Sequence, residues 1–207
     1  ETQANDIGGA PTFSATTGNI NDLGYRNVNA GATLPSVGNI DNNVTIIFNA
    51  TGVDLPAMTV GGDLDVTAGG NIIDSGDVSV TGSGIFDAGA NAITLGDTTN
   101  ADFADLDVSG GTVQVAENSA TTLVGVSADS LTLTSGGAIT DAAVTTIAVT
   151  NLADLTANGG ANAITLGDNA GDTTNFGSLS AAGTTVTISE DSGTDLTAVN
   201  ASVDLIL

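Results

Sequence analysis

The nonapeptide GANAITLGD occupies residues 89–97 and returns unchanged at residues 160–168, 71 positions further along the chain. Both copies are soon followed by Thr-Thr-Asn, at 98–100 and at 173–175, with four extra residues before it in the second copy. An identity of this length is very improbable by chance. The chain is therefore a repeat sequence, and the period of the repeat limits the folds that are possible.

The similarity continues downstream of the nonapeptide. Phe103 and Leu106 correspond to Phe176 and Leu179, each at an offset of 73 positions. Small drifts in offset around a preserved apolar pattern are what loop insertions produce in a stacked array. A period near 71 residues fits about three coils of about 24 residues each.

Within each repeat, apolar residues come in pairs separated by one small or polar residue. Such alternation places every second side chain on the same face of a β-strand. Gly, Asn, Asp, Ser and Thr lie between the pairs, and these residues favour turns. The clearest pairs are Leu64/Val66, Ile93/Leu95, Leu131/Leu133, Ile164/Leu166 and Val186/Ile188. The pattern predicts short strands connected by turns, without helical periodicity.

Two architectures accommodate short strands joined by turns. We predict an all-β fold that is a right-handed parallel β-solenoid, or β-helix, and tandem antiparallel β-sandwiches are the alternative. The solenoid is favoured because the apolar strand cores are shorter than sandwich strands, which usually run to about 5 or 6 residues. A narrow solenoid core also suits a chain with few aromatic residues. Parallel crossover connections favour the right-handed coil.

The regular rhythm begins after residue 57. We assign residues 1–57, which hold all three prolines, to an N-terminal cap or irregular β segment. Residues 58–207 form the predicted solenoid region with a superrepeat of about 71 residues. Solenoid ends need a covering layer to prevent edge-to-edge aggregation. Because residues 203–207 stop in mid-repeat, we expect further repeats of the same chain, or another copy of it, to continue the stack.

The charge balance excludes several functions. The chain has 24 acidic residues, one basic residue and no histidine or cysteine, for a formal charge of -23. Nucleic-acid binding and anionic lipid binding both depend on Lys and Arg, and no apolar run approaches the roughly 20 residues that span a bilayer. Ser-His catalysis requires histidine, and zinc sites rarely form without His or Cys. We expect no enzyme, no nucleic-acid partner and no membrane insertion.

Calcium is the one cofactor that the composition favours, since it takes oxygen ligands from carboxylates and carbonyls. The alternative interpretation is that the acidic residues are turn residues on a solvated face, with no cofactor bound. The candidate calcium ligands are Asp168, Asp172, Glu190, Asp191 and Asp195.

The runs GANAITLGD, ADSLTLTSGGAIT (Ala128–Thr140) and SAAGTTVTISED (Ser180–Asp191) resemble the β-strand repeats of very large bacterial surface proteins, among them filamentous-haemagglutinin-like adhesins. The resemblance covers about residues 58–207. It implies export, a right-handed β-helix and a role in adhesion, biofilm or cell-surface structure, with no catalytic residue.

From these observations we expect a non-catalytic structural or adhesive module of a secreted, extracellular bacterial surface protein that forms a rod or filament segment. The alternative function is a calcium-dependent carbohydrate-binding domain. The expected partners are end-to-end copies or further repeats of the same chain. Cell-surface glycans are the further candidate partner.

Overall fold

The strands of the molecule stack in parallel along one axis. The computed structural model describes residues 5–206, so residues 1–4 and 207 of the two predicted segments lie outside it. The sixteen strands form one sheet. They are β1 (Leu23–Asn27), β2 (Gly38–Ile40), β3 (Val44–Phe48), β4 (Val53–Leu55), β5 (Met58–Val60), β6 (Leu64–Ala68), β7 (Ile72–Asp74), β8 (Val78–Asp87), β9 (Ile93–Leu95), β10 (Ala101–Glu117), β11 (Thr121–Ser135), β12 (Ile139–Asp141), β13 (Thr146–Ala157), β14 (Ile164–Leu166), β15 (Thr173–Ile188) and β16 (Asp195–Ile206).

All of the strand pairings among the described residues are parallel. The chain is a β-solenoid of about 9 coils, and the only helical element between residues 5 and 206 is a 3₁₀ turn at Asn158–Gly160. The predicted parallel solenoid is confirmed. The antiparallel sandwich alternative is wrong, because each strand hydrogen-bonds to the strand one coil away and not to a hairpin partner.

Three parallel ladders run along the N-terminal half. Separate short strands form them in the first coils, whereas β8 spans two of the ladders and β10 spans all three. The coil length varies around the 24 residues expected from the sequence: Val44 pairs with Leu64, a step of 20 residues, whereas Val149 pairs with Phe176, a step of 27. The first coils are short because their turns are only a few residues long, and later coils are lengthened by loops such as residues 167–172. The ladders pass through Gly38, Met58, Val78 and Ala101; Val44, Leu64, Gly84 and Leu106; and Val53, Ile72, Ile93 and Val113.

The sequence repeat does not return to the same ladder. Ile93 pairs with Val113, and this ladder continues to Leu131. Ile164 is the repeat equivalent of Ile93, yet it pairs with Ile139, which follows Leu131 on the same coil. Three coils lead from Ile93 to Ala153 on the same ladder, and the remaining 11 residues of the 71-residue period lead to Ile164 on the next face. Equivalent residues of the two repeats therefore lie on neighbouring faces of the solenoid.

The interior of the coils is filled by the alternating apolar residues. Burial alternates along β3 and β6, where the residues at both ends and in the middle of each strand are buried. Phe86 and Phe103 stack edge to face with ring centroids 5.3 Å apart. Each fully buried aliphatic or aromatic side chain contributes about 1.5–3 kcal/mol of transfer free energy. The core therefore extends along the whole stack and does not divide into two units.

Asp and Asn side chains at the coil corners bond to the next coil. Asp22 accepts a hydrogen bond from the backbone N–H of Asn43 at 3.2 Å, and the Asn43 side chain accepts one from Asp63 N–H at 2.9 Å. Asp63 in turn accepts one from Ser83 N–H at 2.9 Å. These side chains satisfy corner N–H groups that no strand partner reaches. The frequent Asp and Asn residues thus connect successive coils as well as forming turns.

Regular stacking begins within the segment that the sequence analysis assigned to an N-terminal cap, because β1 to β4 already pair in register with later coils. Residues 5–22 lie against the first coil through isolated bridges, of Asn5 with Asn27 and of Ile20 with Ile40. The side chain of Asn27 is fully buried and bonds Ile7 and Tyr25. Residues 23–55 of that segment thus contribute four strands to the stack.

The last described strand exposes apolar residues. Leu196 and Leu205 of β16 continue the ladders of Leu179 and Val186, which are buried in β15. In β16, however, Leu196 is 51% exposed and Leu205 is 48% exposed. The face that forms the core in earlier coils is thus open to solvent in this one.

Candidate functional site

Three aspartates meet at a corner between two successive coils of the second repeat. Asp141 is the last residue of β12, Asp168 follows β14, and Asp172 directly precedes β15. The pairing of Ile139 with Ile164 brings the ends of β12 and β14 side by side. One carboxylate oxygen from each of the three aspartates lies within 4.8 Å of the other two. Among residues 5–206 this is the one such group of three acidic side chains.

Backbone N–H groups hold these carboxylates in place. Asp141 Oδ2 accepts a hydrogen bond from Gly167 N–H at 3.0 Å. Asp172 Oδ1 accepts one from Thr145 N–H at 2.9 Å, and its Oδ2 accepts one from Asn169 N–H at 2.8 Å. Asp172 therefore fixes both its own loop and the loop that follows β12. Hydrogen-bonded carboxylates retain lone pairs that can coordinate a cation.

Burial, hydrogen bonds and neighbouring charges shift the pKa values of two aspartates of the cluster. Asp141 is buried, and burial raises the pKa of its carboxyl group; the hydrogen bond from Gly167 opposes this rise, and the negative charges of Asp172 and Asp168 add to it. The pKa of Asp172 is lowered, mainly because Thr145 N–H donates to its charged form. Like charges at this separation disfavour simultaneous ionisation. A proton or a metal cation at the cluster relieves that repulsion.

The cluster contains two of the five sequence-predicted calcium ligands, Asp168 and Asp172. The other three lie elsewhere. Glu190 accepts a hydrogen bond from Phe176 N–H at 2.6 Å, and Asp191 accepts one from Thr174 N–H at 2.9 Å, so both serve as connections between coils. Asp195 is the first residue of β16 and is exposed.

Sequence reasoning missed Asp141. A signal for it exists, because Ile72 matches Ile139 at an offset of 67, which makes Asp74 and Asp141 equivalent residues of the two repeats. Asp74 is buried as well. A buried aspartate at the same place in two repeats indicates a common role at the coil corner.

The fold and this corner define a class of protein, a β-solenoid built from long sequence repeats. The chain belongs to the family described as repeats of unknown function (DUF5649), whose model matches residues 41–106 and 110–180. The two matched segments follow the superrepeat seen in the sequence. Neither the curated proteins nor the solved structures contain a match to this chain. Between residues 5 and 206, no helix has the length and apolar character needed to cross a bilayer.

Proposed function

We propose that the chain is a non-catalytic structural or adhesive module of an extracellular bacterial surface protein, a rod segment that holds other parts of the molecule away from the cell. One observation carries the proposal: parallel pairing runs without interruption from β1 to β16 in a single sheet. At about 4.8 Å per coil, nine coils make a stack about 40 Å long. Each added repeat lengthens such a stack without changing its cross-section.

The side chains support a mechanical role. The apolar residues are used in the core, and the corner residues connect one coil to the next, as Asp63 does with Ser83. The single cationic side chain is part of the same framework, since Arg26 Nε donates to Asn49 Oδ1 at 2.9 Å. Its guanidinium therefore connects β1 to the turn that follows β3. The resemblance to repeats of filamentous-haemagglutinin-like adhesins supports the same function.

The strongly negative net charge supports a proposal in which the rod is surrounded by solvent. A formal charge of -23 keeps separate rods apart by mutual repulsion and favours a soluble, extended surface. The same charge is repelled by anionic membranes, so the rod should point away from the cell surface and not lie along it. An adhesive contact then belongs to an uncharged or cationic partner, or to one bridged by divalent cations.

The test is labelling of intact cells of the source bacterium with antibodies raised against this 207-residue chain. Gold-labelled antibodies seen by electron microscopy should decorate surface projections or filaments on unpermeabilised cells. An antibody against a cytoplasmic protein serves as the control for cell integrity. Labelling that requires permeabilisation contradicts the proposal.

A further inference from the structure

The two repeats build the same corner with different chemistry. In the first repeat, Asp74 accepts hydrogen bonds from Gly96 N–H at 3.1 and 3.0 Å through its two oxygens. The hydroxyl of Thr99 also donates to Asp74 Oδ2, at 2.5 Å. This buried carboxylate is therefore satisfied by donors from its own chain.

In the second repeat, the equivalent donor is absent and a carboxylate takes its place. Ala101 pairs with Val78, and Thr174 pairs with Ile147 at the corresponding strand position. Ala101 and Thr174 are therefore equivalent, and the residues two positions before them, Thr99 and Asp172, are equivalent as well. Gly167 N–H still donates to Asp141, as Gly96 N–H does to Asp74. In the first repeat the Thr99 hydroxyl donates to the carboxylate of Asp74. In the second repeat the carboxylate of Asp172 lies near that of Asp141 instead, and neither can donate to the other when both are ionised.

Two buried oxygens are left without partners at this corner. They are Asp141 Oδ1 and Thr174 Oγ1, the two buried side-chain polar atoms with no hydrogen bond among residues 5–206. Asp141 is 9% exposed and Thr174 is 1% exposed. Both residues adjoin Gly167, since its N–H donates to Asp141 Oδ2 at 3.0 Å and a Cβ built on it would lie 3.1 Å from Thr174 Oγ1. A buried polar atom without a partner costs about 1–3 kcal/mol, so two at one corner indicate a ligand that satisfies them.

We propose that this corner binds one calcium ion through the carboxylates of Asp141, Asp168 and Asp172, with the Thr174 hydroxyl as a further oxygen ligand. The available donors are all oxygens, which suits calcium and disfavours zinc. Calcium also tolerates irregular geometry better than magnesium, which demands a near-ideal octahedron. Three carboxylates supply more than enough charge to balance a divalent cation, and the bound cation reduces the repulsion among them.

The bound ion connects two coils. Asp141 ends β12, whereas Asp168 and Asp172 belong to the loop between β14 and β15. Calcium therefore fixes the end of β12 against the loop at 167–172. The first repeat achieves the same connection with the Asp74–Thr99 hydrogen bond. Only the second repeat of this chain then depends on calcium, and the inference is independent of the proposed cellular role.

The experiment is calorimetric titration of the chelator-treated full chain with calcium chloride, in a background of monovalent salt that screens non-specific binding to the acidic surface. We expect one saturable site, with a dissociation constant on the order of 10⁻⁴ to 10⁻³ M. Calcium should also raise the melting temperature, because it binds the folded chain preferentially. Magnesium should bind at least about tenfold more weakly.

Variants distinguish the site from general acidity. Asp141→Asn and Asp168→Asn should each lower calcium affinity at least about tenfold. Asp168 is exposed, so its variant should keep the melting temperature of the calcium-free chain. Asp97→Asn, at the equivalent place in the first repeat, is the matched control and should leave calcium binding unchanged. The proposal is overturned by the absence of a saturable site, by unchanged binding in Asp168→Asn, or by equal affinity for magnesium.

Discussion

The carboxylate of Glu117 accepts a hydrogen bond from the backbone N–H of Phe103 at 2.9 Å, between residues 14 positions apart in the chain. Glu190 accepts the same bond from Phe176 N–H at 2.6 Å in the second repeat. Glu117 is buried and also accepts a hydrogen bond from the hydroxyl of Thr121. A glutamate therefore closes one corner of the coil in both repeats, buried in the first and half-buried in the second.

Replacement of Glu117 should separate the contribution of its hydrogen bonds from that of its charge. Glu117→Ala leaves Phe103 N–H without a partner and opens a cavity, so it should lower the free energy of unfolding by about 2–4 kcal/mol. Glu117→Gln keeps an acceptor for Phe103 and can donate to Thr121, so at neutral pH its effect should be below about 1 kcal/mol. Urea unfolding followed by circular dichroism measures both. A loss in Glu117→Gln as large as in Glu117→Ala would contradict this assignment.

The stability of the chain should increase as the pH falls from neutrality into mild acid. Burial is the main cause that raises the pKa of Glu117, Asp65 and Asp107 above their usual values. A carboxyl group with a raised pKa takes up its proton in the folded state before it does so in the unfolded state. The free energy of unfolding therefore rises as the pH falls through the folded pKa values toward the ordinary values of 4.5 for Glu and 3.8 for Asp.

Two other carboxyl groups make the folded chain less stable as the pH falls further. Hydrogen bonds from Asn100 to Asp77 and from Thr145 to Asp172 lower the pKa of each aspartate. Their stabilisation is lost when the pH falls below the ordinary value of 3.8. Thermal melts in calcium-free buffer should therefore show a maximum in melting temperature at a pH between the ordinary carboxyl pKa values of 3.8 and 4.5. In Glu117→Gln the rise between neutrality and this maximum should be smaller, and an unchanged rise would show that Glu117 does not contribute to it.

The short strands were predictable because their signal is local, whereas β10 and β15, of 17 and 16 residues, continue through predicted turns. The alternating pairs Ile93/Leu95 and Ile164/Leu166 are β9 and β14, and all four side chains are buried. Alternation specifies which face of a strand is buried, but it does not specify which strand lies one coil away. That partner depends on the number of residues in each turn, so the coil length and the shift of the repeat to a neighbouring face emerged only from the strand register.

The acidic corner was predictable only in part for the same reason. Asp168 and Asp172 are close in sequence, and their spacing identified them as candidates. Asp141 reaches them across one coil, 27 positions before Asp168. Glu190 and Asp191 are also close in sequence, yet they bond the backbone of the preceding coil. Sequence proximity therefore identified acidic residues but not the carboxylates that meet in space.

Alanine substitution at two glycines of one nonapeptide should have unequal effects. Gly89 and Gly96 both adopt positive φ, of 57° and 70°. A Cβ on Gly89 would meet no atom within 4 Å, whereas one on Gly96 would collide with the carbonyl oxygen of Ala116 on the next coil. Gly89→Ala should cost about 1–2 kcal/mol, the conformational penalty alone. Gly96→Ala should cost at least about 1 kcal/mol more because the coils must separate. Equal unfolding free energies for the two variants would contradict the close approach at Gly96.

Val144 should tolerate glycine with a gain in stability. It has a φ of 65°, which a β-branched residue rarely adopts, and its side chain is 72% exposed. Val144→Gly removes the backbone strain and sacrifices little buried apolar area, because the valine side chain is mostly exposed. The free energy of unfolding should therefore rise by up to about 1 kcal/mol in calcium-free buffer. Val149→Gly, at a buried position of β13, is the contrasting control and should be strongly destabilising. A destabilised Val144→Gly would mean that its side chain packs against the neighbouring loop more tightly than its exposure indicates.

The apolar face of β16 should make this chain self-associate. Leu196 and Leu205 occupy core positions of their ladders but are half-exposed, and an open strand edge with apolar side chains favours pairing with another chain. Sedimentation velocity should show association that increases with protein concentration and weakens at low salt, where the negative charges repel most strongly. The double variant Leu196→Ser and Leu205→Ser should shift the chain toward the monomer. The matched double variant Thr197→Ser and Asp204→Ser changes the same strand, removes only one methyl group and leaves both leucines in place, so it should not increase the monomer fraction. Equal behaviour of the two double variants would rule out association through this face.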